Sequence, residues 1–136
     1  MSFMEWNDKL EISVPEIDEQ HKILVGYVNK LHDASRTDKG DEVVGPIISG
    51  LVNYTVYHFF AEEGLMEKNG FPEYEQHRKE HLELTEKTMD FFTDYHAEKG
   101  DIVNSLCAFL REWLTGHIMV SDVKLASFLK GRGAAL

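Results

Sequence analysis

The stretch His58–His81 reads HFFAEEGLMEKNGFPEYEQHRKEH, and its spacing decides the fold. His58 and Glu62 stand four apart, a break follows at Asn69-Gly70-Phe71-Pro72, and His77 and His81 again stand four apart. Four residues make about one helical turn, so each pair projects side by side from one helix face. Asn or Gly ends a helix and Pro starts the next. The spacing therefore predicts two antiparallel helices that present three imidazoles and a carboxylate to each other. Nitrogen and oxygen donors converging in this way suit a first-row transition metal such as iron or zinc.

Working outward, the same period runs through the rest of the chain. Residues 1–17 show no sustained helical pattern, Pro15 is read as a block to early helix, and Trp6 and Leu10 would lay this arm across a bundle or leave it as a loose terminus. Asp18 is read as the N-cap of a first helix over about 19–36, with Ile17, His21, Leu24, Val28 and Leu31 inward in steps of four and three. RTDKGDE (36–42) is a turn. A second helix is expected over about 42–68, through Val44, Ile48, Leu51, Thr55, His58, Glu62 and Leu65. A third, over about 72–97, carries Tyr74, His77, His81, Leu84, Thr88, Phe91 and Tyr95. After a turn at Lys99-Gly100, Asp101 would cap a fourth helix to about 130, with Ile102, Leu106, Phe109 or Leu110, Trp113, His117, Leu125 and Phe128 or Leu129 inward. Four such helices with short loops predict an all-α, antiparallel up-down-up-down four-helix bundle: an N-terminal arm over 1–18 and a single bundle domain over 19–136.

Polar residues occupy positions on these stripes where leucine is expected. A buried polar group is unfavourable unless partnered, and a carboxylate more so. One such histidine would be an ordinary satisfied core residue, but His21, His58, His77, His81, His117 and Glu62 all point to one core. Their positions along the helices bring all four regions towards the same end of an up-down bundle. Asp122 follows His117 by five residues, off its face on a regular helix. Either a π-bulge turns it inward, or it is a solvated surface acid. His32 and His96 are read as surface residues, Cys107, Met66 and Met119 as packing, and Glu63 as solvated.

Composition narrows the partners. The 136 residues fit one domain, and a formal charge of -10 repels phosphate backbones and anionic lipids, against nucleic-acid or membrane-surface partners. The one cysteine cannot form an internal disulfide, and neither a signal peptide nor an apolar run of about 18 residues is present, so the chain reads as cytoplasmic. An excised domain of a larger protein would read the same way.

Taken together, His21, His58-x3-Glu62, His77-x3-His81 and His117-x4-Asp122 resemble the ligand signature of the hemerythrin family. The surrounding IDEQHKILVGYVNKLHDA, HFFAEEGLM, GFPEYEQHRKEH and REWLTGHI are similar to bacterial members, and the likeness runs from Trp6 to about Leu129. MVSDVKLASF departs from the lysine-rich pattern common after the last histidine, which bears on local helix geometry. The resemblance implies reversible O2 binding at a non-haem di-iron centre with an oxo or hydroxo bridge. His77, His81 and His117 would hold one iron; His21 and His58 would hold the second, with an open position; Glu62 and Asp122 would bridge them. Leu24, Phe59, Trp113 and Ile118 match the family's O2 pocket, and no catalytic residue is implied. The use would be O2 carriage or storage, or sensing as part of a chemotaxis-type signalling protein. The competing classes are a di-iron oxidase or peroxidase, a nitric oxide-handling enzyme, and an iron store.

Overall fold

Pro15, expected to delay the first helix, opens it. In a computed structural model, which describes residues 3–34, 36, 40–96 and 102–131 of the chain, α1 spans Pro15–Ala34. Proline suits a first helical position because its fixed φ is already helical and its missing N–H has no intrahelical partner there. Asp18 is therefore not the N-cap. Its own N–H already bonds Val14 O at 2.8 Å, and its buried carboxylate accepts the Ile12 N–H at 2.9 Å. The aspartate ties the arm to the helix it was expected to begin.

The arm itself packs down. Met4, Leu10, Ile12 and Val14 are buried, and Trp6 packs against the core. Asn29 holds Met4 from both sides, accepting its N–H and donating to its carbonyl, each at 2.8 Å.

Helix α2 (Gly40–Asn69) ends in a Schellman motif. Gly70 takes φ 65°, the Phe71 N–H bonds Met66 O at 2.9 Å, and the Gly70 N–H bonds Glu67 O at 3.3 Å. Glycine alone adopts that φ without strain, so Asn69-Gly70 stops the helix and turns the chain back. Helix α3 (Tyr74–His96) then starts two residues after Pro72. The fourth rod is α4 (Ile102–Gly116), a π-helical turn (His117–Asp122) and α5 (Val123–Gly131). Of the expected turn at 36–42, residues 37–39 lie outside the described residues, and 40–42 already belong to α2, which starts two residues earlier than expected. The turn at Lys99-Gly100 and the Asp101 cap lie outside the described residues, as do the side chains of Tyr95 and His96.

The main packing partners run round a ring, α1 with α2, α2 with α3, α3 with α4 and α4 with α1, giving the antiparallel four-helix bundle. A large apolar cluster fills most of it, and a smaller one of Met66, Phe71, Leu125 and Leu129 plugs one end. The polar residues sit between the two clusters. Glu62 lies between Phe59 and Met66, His77 and His81 between Phe71 and Leu84, and Asp122 between Ile118 and Leu125.

Candidate metal centre

Seven polar side chains from all four rods meet in this layer. His21, His58, Glu62, His77, His81, His117 and Asp122 are each 6% exposed or less. Helix α1 supplies His21, α2 supplies His58 and Glu62, α3 supplies His77 and His81, and the fourth rod supplies His117 and Asp122. The π-turn brings in the last of these. The Val123 N–H bonds back to Ile118 O, an i to i−5 step, and this extra residue per turn rotates Asp122 onto the face of His117. The His117 Nε2 to Asp122 Oδ1 distance is 3.2 Å.

Each carboxylate faces two sets of histidines. Glu62 Oε1 lies 2.5 Å from His77 Nε2 and 3.2 Å from His81 Nε2, while Oε2 lies 3.3 Å from His58 Nε2. Asp122 Oδ1 lies 3.0 Å from His77 Nε2, and Oδ2 lies 3.0 Å from His21 Nε2. The donor atoms accordingly form two groups, Glu62, His77, His81, His117 and Asp122 in one and His21, His58 and Glu62 in the other, each within 4.8 Å.

Outer partners fix the rings. Gln20 Oε1 lies 2.6 Å from His58 Nδ1, Glu63 Oε2 3.0 Å from His81 Nδ1, and Glu80 Oε1 2.9 Å from His117 Nδ1. Ser121, within the π-turn, donates to the same Glu80 oxygen at 2.5 Å. A ring whose Nδ1 donates outward carries a lone pair on Nε2 directed inward, the form that binds metal. Spacing did not reveal these partners. Glu63, next to an inward residue, reads as solvated, yet it is only 23% exposed and bonds His81; Glu80 was not singled out. Gln20 is 5% exposed. The only sequence signal was that these residues adjoin His21, Glu62 and His81 in the chain.

Electrostatics shows what the cluster lacks. Burial opposes charge on Glu62, but His117, His58, His77 and His81 outweigh it and hold its carboxyl well below the usual range. Burial and the charge of Glu62 push Asp122 up, and the approach of His117 and His21 reverses this, leaving it low. Burial likewise opposes protonation of His77, yet Asp122 and Glu62 raise it to about 9. His117 rises against burial to about 10, through Asp122 first and then Glu62. His81 Nε2 and His117 Nε2 stand 3.2 Å apart, so in the metal-free protein one of them carries the proton that joins them. Both Asp122 oxygens, Glu62 Oε2 and both His21 ring nitrogens are buried with no aligned hydrogen bond. A buried polar atom without a partner is strongly disfavoured. Protons on imidazoles balance the charge in part; metal ions would occupy the unpartnered atoms as well. The residues present fit a pair of first-row metal ions.

Apolar groups cover the rings. Phe59 stacks on His81 with centroids 3.8 Å apart and also meets His58 at 5.7 Å. Trp113 stacks on His117 at 4.3 Å and Phe71 meets His77 edge-on at 6.1 Å. Leu24, three residues after His21, and Ile118, next to His117, are buried in the main cluster. Of the other residues singled out, Met66 and Cys107 are fully buried, and burial pushes the Cys107 thiol up to about 11. Met119, expected to pack, is 41% exposed because the π-turn faces it outward. His32, expected on the surface, is half-buried and stacks on Phe3 at 4.2 Å.

Residues 13–129 match the model of the hemerythrin HHE cation binding domain. The chain is 34% identical to bacteriohemerythrin of Methylococcus capsulatus over 123 residues, covering 90% of this chain and 93% of that protein. It is 29% identical to a hemerythrin-like protein of Naegleria gruberi, covering 91% and 92%. A crystal structure of wild-type hemerythrin superposes with a TM-score of 0.87 at 31% identity, covering 94% of this chain and 98% of that one. Sequence, fold and the buried donor layer agree, and the chain belongs to the hemerythrin family.

Proposed function

We infer that this protein binds O2 reversibly at a non-haem di-iron centre. The observation that carries the reading is the division of Glu62 and Asp122, each with one oxygen towards one histidine set and the other towards the second. In this reading His77, His81 and His117 would hold one iron, His21 and His58 would hold the other, and Glu62 and Asp122 would be shared between them. Two ferrous ions held there would supply reversible electron donation to O2.

The chain's own residues supply the rest. Gln20, Glu63 and Glu80 orient three imidazoles so that each Nε2 faces inward. Phe59 and Trp113, stacked on the rings, and Leu24 and Ile118, buried nearby, exclude water. Their side chains carry no group that titrates near neutrality, so this wall offers no general acid or base to drive turnover. That favours binding over catalysis. The wall serves carriage, storage and sensing alike, including service within a chemotaxis-type signalling protein. The single buried cysteine accords with a reducing, cytoplasmic setting.

The test is spectroscopic. Protein loaded anaerobically with iron and reduced is cycled between O2 and argon. A visible charge-transfer band that rises with O2 and fades under argon through repeated cycles is expected. A band that decays without returning O2 would replace binding with redox turnover.

A further inference from the structure

The two metal positions differ in what stands behind their histidines. His81 and His117 donate from Nδ1 to carboxylates, Glu63 and Glu80. His58 has a neutral amide, Gln20, in the same place, and His21 Nδ1 has no hydrogen-bond partner. A carboxylate behind an imidazole strengthens it as a donor by offsetting the positive charge the ring gains on binding metal, and a neutral amide does so less. Glu80 also takes the Ser121 hydroxyl, so one carboxylate positions both the His117 ring and the π-turn that carries Asp122.

We propose that Glu63, Glu80 and Gln20 grade the two positions, so that the one formed by His77, His81 and His117 fills first and holds its metal more tightly. This rests on the di-iron reading and adds the order of loading and its cause. The inner donors contribute to the same order, because the first position has three imidazoles and the second has two. The outer groups widen the gap. They are positioning residues that act through the rings.

The test is an anaerobic titration of the metal-free protein with cobalt(II), followed by its visible bands, with bound metal counted at each step. Two steps are expected. Glu80→Gln and Glu63→Gln keep side-chain size and should each weaken the first step by roughly 10- to 100-fold while moving the second much less. Glu80→Asp, which keeps the charge, should recover part of the loss. Gln20→Glu should tighten the second step and narrow the gap. A general loss of structure would weaken both steps together, so circular dichroism of each metal-free variant is recorded alongside. Equal weakening of both steps, or no change in either, would overturn the grading. Failure of the unsubstituted protein to take up two metals would overturn the di-iron reading as well.

Discussion

Glu62 and Asp122, on different helices, divide their oxygens in the same sense. Glu62 Oε1 and Asp122 Oδ1 both lie within 3.0 Å of His77 Nε2, while Glu62 Oε2 turns to His58 at 3.3 Å and Asp122 Oδ2 to His21 at 3.0 Å. Two buried carboxylates repel each other, and such a pair is tolerated only where positive charge, on protonated imidazoles or bound metal ions, offsets it.

Removing either bridge should therefore cost metal. Glu62→Gln and Asp122→Asn keep the shape of the side chain and delete the charge that both positions share. Each variant is expected to retain fewer than two irons per chain by elemental analysis after anaerobic loading and desalting. Two tightly held irons in both variants would contradict the bridging role.

The metal-free protein should lose stability as pH rises. His77 and His117 have folded-state pKa values raised to about 9 and about 10, against an ordinary value near 6.5. A raised pKa means that the folded state binds the proton more tightly, so the stabilisation is complete below about pH 6.5 and lost as pH passes through 9 to 10. The lowered Glu62 and Asp122 act in the opposite direction, and their contribution is lost in acid, below about pH 4. Urea unfolding of metal-free protein should show falling stability between pH 7 and 10. A flat profile across that interval would contradict the coupling.

Metal uptake should release protons for the same reason, because His77 and His117 are charged near neutrality in the metal-free protein and must deprotonate to bind. Acidification of loaded protein should correspondingly release iron as protons reclaim the rings. Uptake without proton release in a weakly buffered titration would contradict this.

The apolar plug should matter for retention as well as stability. Phe71 is 6% exposed and packs on Phe128 at 5.3 Å and on His77. Phe71→Ala should destabilise the fold by about 3–5 kcal/mol and admit water to the site. Urea unfolding and the rate of iron loss to a chelator should both register it. Unchanged iron release would mean that the plug does not seal the site.

Gly70 offers a separate test of the hinge between α2 and α3. Nothing lies within 4 Å of an added Cβ, so Gly70→Ala would act only through its φ of 65°. About 1–2 kcal/mol of destabilisation is expected, with the bound-iron count retained.

Much of this was legible in the sequence because helical spacing reports which residues face the core. The histidines and Glu62 stood on leucine positions of four stripes, and Asn69-Gly70 marked the reversal between two of them. Asp122 was half legible: its five-residue offset is incompatible with a regular helix, and only the π-turn resolved it. Pro15 and Asp18 misled because both are helix-start signals at adjacent turns, and the choice was settled by the Ile12 N–H needing the Asp18 carboxylate. Gln20, Glu63 and Glu80 were not legible. They flank the stripes, where spacing cannot distinguish a solvated side chain from one that reaches behind a neighbouring ring.

The most direct measurement is a crystal structure of iron-loaded protein with data collected at the iron absorption edge. Two anomalous peaks are expected, one beside His77, His81 and His117 and the other beside His21 and His58, with Glu62 and Asp122 reaching both. A single peak, or iron lodged away from these carboxylates, would contradict the account.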